Sequence, residues 1–434
     1  EGSLPASREI AMSWRKKESG NSSSLARALS LALFALALLE ALYFVGGLRV
    51  AGLFPIIGGD FRALYAAAQA ARAHGFGAIY QPERTLPFQE TLCRMAGPEA
   101  PCVFIPMVFL PAFALLVLPL TFLSPDVAFA LWSVASLLLI FLALRPILRP
   151  FPSPERRPLL ALMLLAYPSF MNLLWGQVNA WLLLGLARFQ VDQEARADFR
   201  SGLWLGWLLL KPQTLVLLLP GLALAGRWKT LMGFGTSAGL ILLLSLALSG
   251  PSGLREWWGW ISGFAAPHPA LAPAVVGAET MMNWRALGVW LDGALPDAPL
   301  WAGIGIAMAL TALPVPIAWR RAREAGEDRS TRLLIGTLTA TLTASWHAHA
   351  HTAMILMPSL LSAVREGSLP RPLLLTWGLL PATLPFGVIL LEAMRVPLPE
   401  GGVVSFLAGR LFFALHLILL GWAITPFLQV RRHP

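Results

Sequence analysis

Residues 126–145 read DVAFALWSVASLLLIFLALR, with eighteen uncharged residues between Asp126 and Arg145. An apolar run of this length predicts a helix that crosses a membrane. Similar apolar stretches recur along the chain, separated by short charged breaks or by breaks rich in proline and glycine. This repeated pattern predicts an all-α, polytopic membrane protein.

The composition points to the same class of protein. The chain is 56% hydrophobic and 13% charged, with a mean hydropathy of +0.66, whereas soluble domains carry roughly 25% charged residues. Its net charge of +10 is compatible with nucleic-acid binding, but the basic residues follow the membrane topology described below. There is no phosphate-binding loop and no zinc-ribbon spacing. Nucleotide sites are thus unsupported, and because the basic residues follow the membrane topology we predict no nucleic-acid partner.

Twelve membrane helices are predicted within one integral-membrane domain over 26–428, flanked by tails at 1–25 and 429–434. The first, after a basic and polar stretch, is predicted to be a retained signal anchor. The pair over 201–226 is too short for two crossings, so we expect it to enter, break at Lys211-Pro212 and return. The predicted helices are 26–47, 126–145, 158–175, 178–190, 201–212, 213–226, 230–249, 299–319, 331–347, 352–364, 371–393 and 404–428.

Basic residues indicate the orientation of these helices. With both termini in the cytoplasm, most of the 33 Lys and Arg fall in breaks on the inner side, as the positive-inside rule requires. The sequence thus predicts a multi-pass protein of the inner (plasma) membrane. Its two large outer segments are then 48–125 and 250–298.

The first outer segment carries two further predictions. Phe61–His74 is predicted to be an amphipathic helix lying along the membrane surface. Val103–Phe122 is apolar but interrupted by prolines, so we predict a juxtamembrane or re-entrant helix that does not cross. Cys93 and Cys102, the only cysteines, both lie in this segment, where either a disulfide or two separate thiols is possible.

The most informative polar residue is Asp60, in the stretch GGDFRALY over 58–65. A carboxylate beside hydrocarbon is costly, so an acid at a membrane surface behind two glycines suggests a functional site. The alternative is that Asp60 caps a helix that starts at Phe61.

Other polar residues fall on the same predicted outer side. Gln177 and Asn179 lie in the turn after Trp175, where they either line a site or satisfy the backbone of the turn. Lys211 lies at the tip of the broken pair, flanked by leucines and Pro212. It is either an interfacial anchor or, as we favour, a partner for a phosphate, because an isolated ammonium there is costly.

The second outer segment and a histidine-rich tip complete this set. Asn283 and Arg285 lie in the segment, and His347, His349 and His351 alternate at the tip. Alternating histidines are compatible with a metal site, but the sequence supplies no clear set of further ligands. Hydrogen bonding to a sugar or phosphate, or a simple interfacial cluster, are the alternatives.

Together these motifs resemble a known family. Gly-Asp-Phe-x-x-x-Tyr from Gly59 to Tyr65, the proline-broken stretch at 106–119, the Gly176–Asn179 turn, Lys211-Pro212 and the His-bearing tip resemble the GT-C glycosyltransferases. The combination is similar to glycosyltransferase family 87, whose members include a mycobacterial phosphatidylinositol mannoside mannosyltransferase. The resemblance covers roughly 45–360.

The resemblance implies an inverting hexosyltransferase that uses a polyprenyl-phosphate sugar as donor, with mannose as the candidate sugar, and a lipid or glycan as acceptor. Asp60 would be the general base, and no cofactor is implied because the donor is a substrate. Metal dependence stays open, and the alternatives are a transporter or lipid flippase and a His-ligated metal or haem protein. The residues predicted to bind donor or acceptor are Arg62, Tyr65, Gln177, Asn179, Lys211, Asn283, Arg285, His349 and His351.

Overall fold

The computed structural model describes residues 58–96, 104–263, 281–292, 294–393 and 403–429, together with 30–41 apart from 32 and 39. These residues form helices and no strands, apart from two isolated β-bridges. In chain order, the α-helices α1 to α16 are Gly59–His74, Pro82–Ala96, Pro125–Leu148, Ser153–Leu165, Tyr167–Trp175, Asn179–Glu194, Asp198–Trp204, Leu218–Leu224, Trp228–Gly263, Trp284–Leu291, Asp297–Ala312, Pro314–Glu324, Thr331–Ala344, Met357–Arg365, Arg371–Ala393 and Val403–Leu428.

Several of these helices are able to cross a membrane. Among the described residues, four are long and apolar enough, and a fifth span results if α4 and α5, bent by 49°, count as one. The four spans are Pro125–Leu148, Trp228–Ser262, Asp297–Glu324 and Gly409–Leu428. The all-helical membrane class is thus supported, but the count of twelve is not confirmed.

Several predicted spans are shorter or more broken than a continuous crossing requires. Helix α6 has 16 residues and α13 has 14, below the roughly 17 that a crossing needs. The first predicted span, 26–47, is helical where it is described and otherwise lies outside the described residues. The domain boundaries stay a prediction.

The predicted break at Lys211-Pro212 is present. Two 3-10 helices, Leu205–Leu210 and Pro212–Leu215, meet at Lys211 between α7 and α8. The two ends of this hairpin are joined by an ion pair between Arg227 and Asp198 at 2.6 Å. Because its ends meet, Lys211 lies at the tip of the hairpin, away from this ion pair.

Two further hairpins are built in the same way. In one, α13 and α14 flank the histidine tip, and Thr331 donates to Glu366 at 2.7 Å between the far ends. In the other, α4 to α6 flank the Gly176 turn. Arg365 forms an ion pair with Glu194 at 2.9 Å, which joins the bases of these two hairpins. The tips of all three hairpins therefore lie at the end of the bundle opposite these contacts.

The first outer segment differs in part from its prediction. The helix over Phe61–His74 is present as α1, and ten of its sixteen residues are buried in the protein; its position along the membrane surface stays a prediction. The small side chains of its alanines allow neighbouring elements to pack closely around it. The following apolar stretch is not one continuous helix, because two 3-10 helices, Pro111–Leu116 and Leu118–Phe122, replace it.

The second outer segment starts inside a helix. Helix α9 continues past 249 to Gly263, with a kink at Gly250, which has φ 69° and precedes Pro251. A residue other than glycine is strained at this φ, so the kink is encoded by the Gly-Pro pair.

Candidate active site

Asp60 lies in the first turn of α1 and does not cap it. The helix begins at Gly59, its N-cap residue is Gly58 in the left-handed conformation, and the cap makes no side-chain hydrogen bond. The capping alternative is thus not supported. The half-buried carboxylate of Asp60 instead accepts a hydrogen bond from the side chain of Gln177 through Oδ2.

The turn that carries Gln177 is fixed by a glycine. Gly176 has φ 66°, and its N–H donates to Leu173 O while Gln177 N–H donates to Asn172 O at 2.9 Å. This pair of bonds is the Schellman ending of α5. A Cβ at Gly176 would lie 2.5 Å from Cβ of Phe61, so both the backbone conformation and the contact with α1 require glycine.

Two further hydrogen bonds attach this turn to its surroundings. Gly58 N–H donates to Leu174 O at 2.6 Å, and Trp132 Nε1 donates to Gly176 O at 2.9 Å. The start of α1 and the Gly176 turn therefore form one rigid unit. Within it, Gln177 reaches Asp60 although the two are 117 positions apart in the sequence.

Asn179 has a different role from Gln177. Its backbone N–H and its side-chain Nδ2 both donate to Asn172 Oδ1, at 3.1 and 3.0 Å, and both asparagines are fully buried. Asn179 thus serves the turn, as the structural alternative proposed. Its contact with a substrate stays a prediction.

Lys211 joins the tips of two hairpins. Its half-buried ammonium donates to Thr352 Oγ1 at 3.3 Å. It also interacts electrostatically with the carboxylate of Asp60. Arg62, on α1, attracts the same carboxylate, and its Nη1 lies 3.4 Å from Cys93 Sγ. The structure therefore brings one carboxylate and two cations together at this site.

The environment of Asp60 changes its acidity. Burial raises the pKa of the Asp60 carboxyl above its ordinary value of 3.8, while the Gln177 hydrogen bond and the charges of Lys211 and Arg62 oppose that rise. A carboxylate whose pKa is raised is a stronger base than an exposed one. The site thus holds a group suited to accepting a proton.

The rings of the three histidines contact one another in sequence near Lys211, the first pair edge-on and the second pair stacked. The ring centroids of His347 and His349 are 4.8 Å apart, and those of His349 and His351 are 5.4 Å apart. His351 is buried, and its Nδ1 has no hydrogen-bond partner among the described residues. In the part of the chain that the structure describes, no group of three His, Cys, Asp or Glu is arranged to hold a metal ion, so the metal alternative gains no support.

Residues of the second outer segment pack against the histidine tip. Met282 N–H donates to Ala348 O at 2.9 Å, and Asn283 Nδ2 donates to Ser345 O at 3.0 Å. Asn283 also caps α10, which assigns it a structural role. The Arg285 guanidinium lies over the Trp346 ring at 4.7 Å, at the edge of the site.

The remaining predicted residues are Tyr65 and the two cysteines. The Tyr65 hydroxyl donates to Leu123 O at 2.7 Å and the residue is buried, so it secures the first outer segment. Cys93 is buried in α2, whereas Cys102 lies outside the described residues, so their disulfide stays a prediction.

Two residues of the site, Asn172 and Thr352, were not predicted from the sequence. For Thr352 the available signal was a polar residue directly after the last histidine.

Comparison with known proteins identifies the family. The model of glycosyltransferase family 87 matches residues 109–346, which is more than half of the 434 residues. The chain therefore belongs to glycosyltransferase family 87, and this membership implies a glycosyltransferase that acts on a sugar donor and an acceptor. Asp60, Arg62, Tyr65, His347, His349 and His351 lie outside the matched range.

No curated protein and no solved structure matches the chain. The expected similarity to the mycobacterial mannosyltransferase is thus not confirmed. Family membership also argues against the transporter alternative.

Proposed function

We propose that the protein transfers a hexose from a polyprenyl-phosphate sugar to an acceptor hydroxyl on a lipid or glycan at the outer membrane face. The transfer would invert the configuration of the anomeric carbon. The observation that carries this proposal is the grouping of Asp60, Gln177 and Lys211 at the tips of three separate chain segments. Family membership supplies the reaction class. These three groups match what transfer from a lipid phosphate needs.

Asp60 would act as the general base. Gln177 holds Oδ2, which orients the carboxylate and leaves Oδ1 to accept the proton of the acceptor hydroxyl. The acceptor oxygen then forms a bond to the anomeric carbon as the bond from that carbon to the phosphate oxygen breaks. A single carboxylate is sufficient for this direct displacement, unlike the pair that glycoside hydrolases use.

Lys211 would stabilise the leaving group. The phosphate departs with the bonding electron pair and gains negative charge, so it needs a cation more than it needs a proton. The ammonium of Lys211 offers this charge close to the base, and Arg62 adds a second cation on α1. The chemistry of a lipid-linked donor also suits a site held between apolar helices.

The donor class is tested with the purified wild-type protein in lipid nanodiscs. Synthetic polyprenyl-phosphate mannose, glucose and galactose are each supplied with an acceptor extract from bacterial membranes, and release of polyprenyl phosphate is measured. We expect release of polyprenyl phosphate with at least one of these donors. No sugar transfer to the acceptor extract is expected when nucleotide sugars replace them. Equal transfer from nucleotide sugars would contradict the proposal.

The pH dependence of transfer tests the role of Asp60 as base. Activity requires the unprotonated carboxylate, so it should fall with unit slope as pH drops through the Asp60 pKa, which lies above 3.8. The Gln177 hydrogen bond favours the charged form, so Gln177→Leu should move this acidic limb to higher pH. An acidic limb that stays in place in a folded Gln177→Leu variant would argue against Asp60 as the titrating base.

A further inference from the structure

Thr352 is the residue that contacts Lys211. It lies in the 3-10 helix Ala350–Leu356, directly after the three histidines, and is only 2% exposed. Its N–H donates to His349 O at 2.9 Å, which fixes its backbone. Its hydroxyl oxygen accepts from Lys211 Nζ at 3.3 Å. A rigid side chain on one hairpin thus holds a flexible one on another.

Without Thr352, the ammonium of Lys211 would be drawn toward the carboxylate of Asp60. A lysine side chain is a flexible four-carbon stem with a compact charge, and the carboxylate of Asp60 attracts it. Direct pairing of the two would neutralise the base and remove the cation from a phosphate. Thr352 attaches Lys211 on the histidine side instead, and takes only one of its three N–H donors.

We infer that Thr352 is a positioning residue that holds the Lys211 ammonium ready for the phosphate of the donor. This inference rests on the proposed function, because it assumes that a phosphate leaves beside Lys211. Thr352 itself touches no reacting atom in this scheme. Among the described residues Lys211 makes no other side-chain hydrogen bond, so its two further N–H groups are available for phosphate oxygens.

Three variants test the inference. Thr352→Val keeps the shape but removes the hydroxyl, Thr352→Ser keeps the hydroxyl, and Thr341→Val is the matched control. Thr341 is a buried threonine whose hydroxyl donates to Thr337 O of its own helix. The measurements are kcat and KM for transfer, and the affinity for a short synthetic polyprenyl phosphate without sugar.

Thr352→Val should raise the KM for the donor about tenfold and weaken polyprenyl-phosphate binding by a similar factor, as expected for loss of one hydrogen bond to a charged group. Thr352→Ser and Thr341→Val should stay within about twofold of wild type. Thr352→Ala replaces the valine variant if that variant does not fold.

Each other outcome is decisive. Unchanged KM and affinity in Thr352→Val, or equal losses in the serine and valine variants, would overturn the inference and leave the proposed function standing. If wild type binds polyprenyl phosphate but transfers no sugar, the proposed function fails, and the affinities alone decide the role of Thr352. If wild type does not bind polyprenyl phosphate at all, both ideas fail.

Discussion

Replacing Asp60 with asparagine should lower sugar transfer at least about 10²-fold, the lower range for loss of a general base. Asparagine has nearly the same shape and can still accept the hydrogen bond that Gln177 donates to Asp60, so the unit formed by α1 and the Gly176 turn should survive. What it lacks is the capacity to accept a proton from the acceptor hydroxyl. The loss should therefore appear in kcat, with little change in donor affinity.

Asp126→Asn is the matched control. Asp126 also lies in the first turn of a helix, at the start of α3, but it is exposed. Its replacement should leave transfer within about twofold of wild type, as is usual for surface positions. Thermal unfolding in detergent and size-exclusion behaviour establish that both variants fold. Undiminished transfer by a folded Asp60→Asn protein would falsify Asp60 as the base.

The sequence predicted the convergence of the site because proline, glycine and charge mark the tips of hairpins. Pro212 ends the ladder of backbone hydrogen bonds after Lys211, and Gly176 permits the left-handed turn before Gln177. Both predicted breaks are present. The contact between Gln177 and Asp60 depends on how the hairpins pack. It therefore cannot be predicted from the local sequence of either segment.

Tertiary packing accounts for features that the sequence left open. Position 60 follows two glycines and precedes a helical pattern, which is typical of a cap, but α1 begins earlier because Gly58 adopts φ 72°. The amphipathic pattern of this helix likewise did not predict that ten of its sixteen residues are buried in the protein. Periodicity identifies a helix, whereas the number of elements that cover it is a property of the fold.

Hydrophobic composition has a similar limit in counting membrane spans. Short apolar segments such as α8 and the 3-10 helices at 205–215 have the composition of a span but not its continuity. Backbone of this irregular kind is tolerated at membrane depth only where protein covers it or where it lines a cavity. The same helix breaks that lower the number of continuous spans thus place polar residues such as Lys211 at hairpin tips.

Lys211→Met should lower kcat/KM for the lipid-phosphate donor about 10²- to 10³-fold, the range for losing one group that stabilises developing negative charge. Methionine has a similar length and no charge, so the hairpin tip keeps its packing. Lys229→Met is the matched control, because Lys229 is exposed near the other end of the same hairpin, beside Arg227. It should leave transfer within about twofold of wild type.

The residual activity of Lys211→Met carries a second signature. The charge of Lys211 lowers the pKa of Asp60, so removing it should move the acidic limb of the pH profile to higher pH. The double variant with Asp60→Asn should lose little more than the more damaged single variant, because base and leaving-group cation act in one step. Fully multiplicative losses, with an acidic limb that does not move, would place Lys211 outside the reaction and return it to the role of an interfacial anchor.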